Sequence, residues 1–318
     1  MSTMSEVIHV AAGVIYNAVG EVLLARRADN RDQGGLWEFP GGKIEVDEAV
    51  EEALARELLE EVGITVSHSE PLIRIPHDYA DRTVVLDVHV VRNFTGEAHG
   101  REGQPVRWVA PEQLNDYAMP AANRPIVNAV RLPAECLITP PVESEEQWLS
   151  VLKKSLQQGV RLVQLRLKDL AADRVDALAR KALALCHAHD CRVLLNADPE
   201  PFTYLPVDGF HLPASALSRY STRPVAEDHW FSASIHNPAE LRQATRLGVD
   251  LGFVAPVQAT RTHPDAIPLG WAGFAELAGA AGFPVYALGG MQRRDIALAR
   301  QYGGQGIAGI RLFIEGEE

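Results

Sequence analysis

The chain has 318 residues, enough for two domains with separate hydrophobic cores, and 30 basic against 42 acidic residues give it a net charge of −12. It lacks a basic stripe, an apolar run of membrane-spanning length and an N-terminal signal peptide, so we expect neither nucleic acid nor a membrane as a partner. Its three cysteines show no metal-binding spacing, which favours free thiols in a reducing, cytoplasmic setting.

The first part of the chain mixes strand and helix patterns. Apolar runs predict strands at 7–16 and 21–25, paired with each other through a turn, and further strands at 83–94 and 106–109. One helix is predicted between Asp47, as its N-cap, and Gly63, as its C-terminal cap, and another near 125–131. This mixture indicates an α+β domain with a mixed sheet flanked by helices.

The predicted helix that ends at Gly63 has acidic residues beside its core-facing stripe. Three carboxylates crowded there repel one another and resist burial unless a cation neutralises them. An isolated Glu-x-x-Glu-Glu would more simply form a solvated helix face, so the surrounding motif decides between the two interpretations. Oxygen-only ligands suit Mg²⁺, with Mn²⁺ as the alternative. The apolar stripe is Val50, Leu54 and Leu58, and the carboxylates are those of Glu57, Glu60 and Glu61.

After residue 133 the pattern changes to short apolar runs that alternate with helical stretches. Two of these stretches are clear amphipathic helices, Ser144 to Gln158 and Asp173 to His189. Eight short strands with intervening helices or loops predict an α/β (β/α)8 barrel of the TIM type. We therefore expect two domains, 1–133 and 134–318, with the boundary near Arg131–Ala134. The strands are predicted at 136–139, 161–167, 192–197, 208–212, 231–235, 250–254, 284–288 and 306–310.

Residues 42–64 fill every position of the Nudix box: a glycine, a glutamate six residues on, an Arg-Glu pair, a Glu-Glu pair and a closing glycine. This stretch resembles a Nudix pyrophosphohydrolase. The phrases at 37–45, 100–105 and 120–125 extend the resemblance to the MutT branch, the 8-oxo-dGTP diphosphatases, over residues 7–132. The resemblance implies a Nudix fold and hydrolysis at the β-phosphorus of a nucleoside triphosphate, which gives a nucleoside monophosphate and pyrophosphate.

The box and its resemblance together suggest a metal site. Spacing favours the three helix carboxylates as ligands, with the Gly42 carbonyl as a further one, and the resemblance adds Glu102 from a distant loop. It also implies that Arg56 orients the carboxylates by an ion pair, that Glu48 braces the loop and that Lys43 meets phosphate charge. One of the glutamates would act as general base, and the sequence leaves open which one.

The resemblance also implies residues that bind the nucleotide. Asn123 would hydrogen-bond the purine edge, Phe39 would pack on the base, Arg27 would meet a phosphate, and Asp81 with Arg82 would close the pocket. Simpler interpretations remain open: Asn123 as a helix cap, Phe39 as a core residue and Arg27 as a solvated charge.

Residues 135–313 resemble thiamine-phosphate synthase and its TenI-like relatives. The matching phrases fall at predicted strand ends, where barrel sites form, and the glycines suit an anion cradle. The resemblance therefore implies a phosphorylated thiamine-pathway ligand. The candidate ligand site is Gln164, Arg166, Lys168, Asn196, Ser234, His236, Gly289, Gly290 and Gly309.

The second half also departs from the synthase pattern. Asn196-Ala197-Asp198 stands where the synthase has Asn-Asp-Arg, and the second acidic ligand after strand four is missing. A leaving diphosphate without its metal loses much of its stabilisation. Three roles remain open for the barrel: synthase, tautomerase with His236 as acid/base, or a module kept for ligand binding, regulation or assembly.

The sequence thus predicts a Mg²⁺-dependent hydrolase of a free nucleotide, with 8-oxo-dGTP as the favoured substrate, fused to a thiamine-synthase-like barrel. The alternative substrates are another nucleoside diphosphate derivative or a thiamine-related pyrophosphate. A homo-oligomer is left open.

Overall fold

The computed structural model describes residues 6–29, 33–78, 82–260 and 265–312. Contacts within the chain divide it into two compact units, Met1–Arg131 and Leu132–Glu318. Across the described ranges, none of the helices combines the length and the apolar character needed to cross a bilayer.

In the residues that the structure describes, the first unit has seven strands in two sheets, with helices against them. The four-stranded sheet has the order β4-β1-β6-β5, in which β1 is parallel to β6 and antiparallel to β4, and the three-stranded sheet has the order β3-β2-β7. The elements in chain order are β1 (Glu6–Ile15), β2 (Val22–Arg26), β3 (Trp37–Glu38), β4 (Gly41–Lys43), α1 (Val50–Val62), β5 (Thr65–Asp78), β6 (Arg82–Thr95), β7 (Val106–Val109) and α2 (Arg124–Arg131), with 3₁₀ turns at Pro111–Asp116 and Ala121–Asn123.

The α1 helix buries its apolar stripe against the sheets, as predicted. Leu54 and Leu58 are fully buried, in one core cluster with Ile15 and Leu23. Gly63 ends the helix in the left-handed conformation, at φ 72°, which glycine adopts without a Cβ penalty. The prediction of Asp47 as N-cap is wrong. Ala49 occupies that position, and the Glu52 carboxylate accepts a hydrogen bond from its N–H at 3.2 Å.

Two further expectations about the first unit need correction. Strands β1 and β2 were predicted to pair, yet they share only an isolated bridge from Tyr16 to Val22, and β2 pairs with β3 and β7 instead. The 14-residue strand β5 was not predicted at all. It contains Pro71 and Pro76, which weaken a strand pattern because proline cannot donate to the ladder.

The second unit is a closed barrel of eight parallel strands, which confirms the predicted architecture. Its order is β10-β11-β12-β13-β14-β15-β8-β9, so that the last strand of the unit pairs with the first. The elements are β8 (Glu135–Ile138), α3 (Glu145–Gln157), β9 (Leu162–Leu165), α4 (Ala172–His187), β10 (Arg192–Asn196), β11 (Gly209–Leu212), α5 (Ala214–Leu217), β12 (Trp230–Ile235), α6 (Pro238–Arg246), β13 (Leu251–Val254), α7 (Gly270–Ala281), β14 (Val285–Leu288), α8 (Ile296–Gln301) and β15 (Gly306–Gly309), with 3₁₀ turns at Glu200–Phe202 and Arg293–Asp295.

The barrel strands are buried on both faces, as expected for a parallel sheet with helices outside it. Phe253 and Tyr286 stack inside the barrel with ring centroids 5.5 Å apart. Outside it, the helices bury Leu152, Leu178 and Phe274 against the strands. All three cysteines are buried free thiols, as the sequence predicted.

Candidate active site

Strand β4 brings two glycines against the acidic face of α1. The Gly41 N–H donates a 2.9 Å hydrogen bond to Oε2 of Glu61. At Gly42, a Cβ would lie 2.2 Å from the carboxylate carbon of Glu57. Only glycine therefore allows the backbone to approach the Glu57 carboxylate this closely. The carboxylates of Glu57 and Glu61 thus border the same short stretch of backbone.

Arg56 connects the helix to the loop that precedes it. Its guanidinium donates to both carboxylate oxygens of Glu48, at 2.9 and 2.8 Å, and to Oε1 of Glu57 at 2.7 Å. It also donates to the Lys43 carbonyl at 3.1 Å. The Arg56 hydrogen bonds lower the pKa of Glu48 to about 2, and Glu48 in turn accepts from the Glu45 N–H. The fork geometry of arginine thus fixes one rotamer of Glu57 and braces the loop.

Glu61 is a partly buried carboxylate at the end of the box helix. Burial raises the pKa of its carboxyl to about 7, against the lowering effect of the Gly41 hydrogen bond. The negative charges of Glu38, Glu102 and Glu57 act in the same direction as burial. Four carboxylates therefore share one electrostatic environment, in which negative charge is unfavourable.

Glu60 and Glu102 are more exposed than the other two predicted ligands. The Glu60 side chain is 63% exposed, and its carboxylate lies 3.8 Å from Arg56. Glu102 belongs to a loop fastened to the end of α1, where the Arg101 N–H and the Gln104 amide both donate to the Glu61 carbonyl at 3.0 Å. In the parts of the chain that the structure describes, no three acidic, histidine or cysteine side chains are grouped as metal ligands are.

The predicted nucleotide-binding residues take several positions. Nε of Arg27 lies 3.0 Å from Oε1 of Glu38, so Arg27 forms an ion pair and is not simply a solvated charge. Phe39, 4% exposed, packs in the core, and Asn123, 8% exposed, ends the 3₁₀ turn before α2. The Lys43 side chain is exposed. Arg82 begins β6, and Asp81 lies outside the described residues.

In the barrel, polar side chains lie near the carboxyl ends of neighbouring strands. The Asn196 amide donates to Oε1 of Gln164 at 3.1 Å, and the Arg166 N–H donates to the Thr139 hydroxyl at 2.9 Å. Lys168 is exposed just beyond β9, and its charge contributes to the lowered pKa of the buried His211 imidazole. These predicted residues therefore surround one end of the barrel.

His211 was not among the predicted site residues, although it is the centre of a buried hydrogen-bond chain. The Ser232 hydroxyl donates to the Phe210 carbonyl at 3.2 Å, so it must accept from Nδ1 of His211 at 3.0 Å. Nε2 is then the acceptor, and the Ser234 hydroxyl donates to it at 2.9 Å. Burial lowers the pKa of His211 to about 3 and keeps the ring neutral. The tautomer of His211 thus fixes the direction of the Ser234 hydroxyl.

Of the remaining predicted barrel residues, His236, Gly289 and Gly290 lie in the loops after the strands, whereas Ser234 and Gly309 belong to β12 and β15. Nδ1 of the exposed His236 lies 2.7 Å from the Ala255 carbonyl. Gly289 and Gly290 both have positive φ, 98° and 71°, and Cβ atoms there would meet Pro256 and Ala259. A Cβ at Gly309 would lie 3.0 Å from Leu312.

Asp198, which follows β10, is already engaged by protein groups. The Tyr220 hydroxyl donates to one of its carboxylate oxygens, and Arg219 donates to the other at 3.2 Å. A carboxylate held by a hydroxyl and a guanidinium is not arranged to replace the metal-binding aspartate of the synthase pattern, which this chain lacks.

Comparison with known proteins assigns each of the two units to a protein family. A family model for the NUDIX domain matches residues 11–129, and one for thiamine monophosphate synthase matches residues 135–313. The 8-oxo-dGTP diphosphatase of Escherichia coli (strain K12) is 39% identical over 120 residues, which are 38% of this chain and 93% of that protein. The chain belongs to the Nudix hydrolases and to the thiamine monophosphate synthase family.

Two other relatives extend the comparison. The CTP pyrophosphohydrolase of Escherichia coli (strain K12) is 37% identical to the Nudix unit over 124 residues, which are 39% of this chain and 91% of that protein. A protein of Aquifex aeolicus (strain VF5), provisionally named thiamine-phosphate synthase 2, is 32% identical over 186 residues, which are 58% of this chain and all of that protein. The first unit is thus a Nudix hydrolase domain, and both units belong to families with small phosphorylated ligands.

Nudix hydrolases in general depend on a divalent metal, and the residues of the Nudix unit fit one. The donors around Gly42 are carboxylate and carbonyl oxygens, which hard divalent ions prefer. The raised pKa of Glu61 shows that negative charge is unfavourable there, and a cation would relieve this. The missing Cβ of Gly42 also lets its backbone lie directly against the Glu57 carboxylate.

Proposed function

We propose that the Nudix unit is a Mg²⁺-dependent pyrophosphohydrolase of nucleoside triphosphates that converts 8-oxo-dGTP to 8-oxo-dGMP and pyrophosphate. The observation that carries this proposal is the convergence of the Glu57 and Glu61 carboxylates on the Gly41–Gly42 backbone. The relative named 8-oxo-dGTP diphosphatase supports the choice of substrate.

The proposed chemistry assigns a task to each group. Glu57, Glu60, Glu61, Glu102 and the Gly42 carbonyl would hold Mg²⁺, which supplies charge neutralisation on the phosphates and a lowered pKa of the attacking water. Arg56 keeps Glu57 in one rotamer, and the Gly41 N–H does the same for Glu61. Lys43 would meet the remaining phosphate charge. One of the glutamates would accept the proton of the water.

Recognition of the oxidised purine is assigned to groups around Asn123. Its amide offers a donor and an acceptor together, which suits a purine edge. Asn123 and Phe39 are both nearly buried, so a base that contacts them would be largely desolvated. Arg27 would contact a phosphate, and Asp81 and Arg82 would close the pocket.

Steady-state kinetics on the full chain test this proposal. The panel is 8-oxo-dGTP, dGTP, CTP, an NDP-sugar and thiamine diphosphate, each with Mg²⁺ and again with EDTA. We expect the highest kcat/KM for 8-oxo-dGTP, release of pyrophosphate rather than phosphate, and no turnover in EDTA. A preference for CTP, which the relationship to CTP pyrophosphohydrolase makes the second candidate, would refute the choice of substrate. Turnover that persists in EDTA would refute the metal assignment.

For the barrel we propose ligand binding rather than synthesis. Asp198 is held by Tyr220 and Arg219, while Gly290, in the loop after β14, is exposed and would offer its backbone N–H to an anion. A thermal-shift screen with thiazole phosphate and pyrimidine phosphates tests this role. Stabilisation without product supports sensing of a phosphorylated metabolite. Product formation would show an enzyme instead, and no response to any of these compounds would favour a role in assembly.

A further inference from the structure

An ion pair between Arg27 and Glu38 forms where strands β2 and β3 pair. Nε of Arg27 is 3.0 Å from Oε1 of Glu38, and both side chains are partly buried, at 29% and 24% exposure. Water and salt screen a partly buried ion pair less than they screen an exposed one. The pair therefore restricts the Arg27 guanidinium more than a surface ion pair would. Glu38 was not identified as a site residue from the sequence.

The backbone around the pair is held from several sides. Strands β2 and β3 are antiparallel, with Ala25 opposite Glu38. The Arg27 N–H donates to the Leu36 carbonyl at 2.9 Å, and the Gly35 N–H donates to the Arg27 carbonyl at 3.0 Å. Glu38 therefore starts from strand β3 and Arg27 from the residue directly after β2, whose backbone these hydrogen bonds hold, so their contact is a consequence of the fold.

Glu38 also connects the pair to the acidic face of α1. Strand β3 ends at Glu38, and strand β4, which begins at Gly41, lies against the carboxylates of Glu57 and Glu61. Along the chain, Gly41, which holds Glu61 through its N–H, is three residues beyond Glu38. The Arg27 guanidinium is thus held at the border of the carboxylate group that would grip a metal–polyphosphate complex.

The geometry points to Glu38 as a positioning residue, which holds the Arg27 guanidinium where its remaining donors meet a phosphate of the substrate. A guanidinium has five N–H donors in a rigid fork, so a carboxylate at Nε leaves donors for a second anion. This inference rests on the proposed function, because it assumes a polyphosphate at the acidic face of α1.

The test compares Glu38→Ala, Glu38→Gln, Arg27→Ala and the double variant Glu38→Ala/Arg27→Ala in the full chain, with 8-oxo-dGTP at saturating Mg²⁺. A hydrogen bond to a charged group that positions a binding residue corresponds to roughly a tenfold change in affinity. We therefore expect Glu38→Ala to raise KM roughly tenfold with little change in kcat. Glu38→Gln should restore most of the loss, because its amide oxygen still accepts from Nε. In the Arg27→Ala background, Glu38→Ala should have no further effect.

Three results would overturn the inference. Additive effects of the two substitutions would show that Glu38 acts independently of Arg27. A lower kcat with unchanged KM and a higher Mg²⁺ requirement would place Glu38 on the metal instead. A loss of thermal stability in Glu38→Ala that Glu38→Gln does not restore, with kcat and KM both affected, would show a merely structural role.

Failure of the proposed function can be distinguished from failure of this inference. If the wild-type chain hydrolyses no nucleoside triphosphate, the proposed function is refuted. In that case, the Kd for inorganic tripolyphosphate with Mg²⁺, measured by calorimetry, still tests the effect of the Arg27–Glu38 ion pair on phosphate binding. Equal Kd values for wild type and Glu38→Ala would then refute the positioning role, and a roughly tenfold weaker Kd for the variant would support it.

Discussion

At the scale of single residues, Glu57 and Glu61 are held by different neighbours, yet substitution of either one should reduce catalysis in the same way. Changing either to Gln keeps its shape but removes a negative charge from the proposed metal site. We expect Glu57→Gln or Glu61→Gln to lower kcat by about a hundredfold or more, because metal stabilisation of the transition state is worth several kcal/mol. Thermal melting should show little loss of folding.

The matched control for these variants is Glu51→Gln on the same helix. Glu51 is exposed and points away from the carboxylate group. Its substitution should leave turnover near that of wild type. Wild-type rates in Glu57→Gln and Glu61→Gln, measured beside this control, would contradict the ligand assignment.

Asn123 tests recognition of the purine separately from the phosphate chemistry. Its side chain is nearly buried and offers both hydrogen-bonding polarities. We expect Asn123→Ala to reduce the ratio of kcat/KM for 8-oxo-dGTP over dGTP by roughly tenfold, the size expected for one lost buried hydrogen bond. Turnover of simpler nucleotides should change little. An unchanged ratio in competition kinetics would show that the purine is recognised elsewhere.

Sequence spacing was sufficient to identify residues that share an element, such as Glu57 and Glu61 on α1. It was not sufficient for partners that come from distant segments. Glu38 meets Arg27 only because β2 and β3 pair. His211 meets Ser232 and Ser234 only because β11 and β12 are neighbours in the barrel. A lone histidine in an apolar run gives no sign of such partners.

At the scale of elements, α1 contributes both to the core and to the proposed site. Two adjacent leucines on this helix test its packing against the core. Leu58 is fully buried and Leu59 is 44% exposed. We expect Leu58→Ala to reduce the free energy of unfolding by about 2–5 kcal/mol, and Leu59→Ala to change it by about 0.5 kcal/mol or less. Urea denaturation of both variants measures the difference. Equal effects would mean that α1 does not pack against the sheets as described.

The elements that the sequence predicted best are those buried on both faces. All eight barrel strands were found, because each is a short apolar run between helical stretches. The strands of the Nudix unit were harder to pair. The short turn after β1 suggested a hairpin, but β1 pairs with β4 and β6 from later in the chain. Such non-local pairings leave no local signal in the sequence.

At the scale of the whole molecule, buried neutral histidines make stability depend on pH. The pKa of His211 is about 3 in the folded barrel against 6.5 for the ordinary side chain, and burial also lowers the pKa of His89 in the Nudix unit. Between the two values, the unfolded chain binds a proton that the folded chain does not. Stability is therefore fully present above pH 6.5 and is lost as pH falls towards 3.

The histidine contribution can be measured by denaturant unfolding between pH 4 and pH 8. For wild type we expect a loss of at most about 1.4 kcal/mol per pH unit from His211 below its unfolded pKa. The variant His211→Gln should show a shallower dependence of the unfolding free energy on pH. The control His68→Gln, at a side chain that is 66% exposed, should show the same dependence as wild type. Identical slopes in wild type and His211→Gln would show that His211 is protonated in the folded state.

Strand β5 is an outer strand of the four-stranded sheet, and such a border is where molecules can add to one another in register. Pro71 and Pro76 remove two amide hydrogens from β5, and three register shifts distort its pairing with β6. The prolines that concealed this strand from sequence analysis should therefore also discourage the growth of intermolecular fibrils when the protein is concentrated.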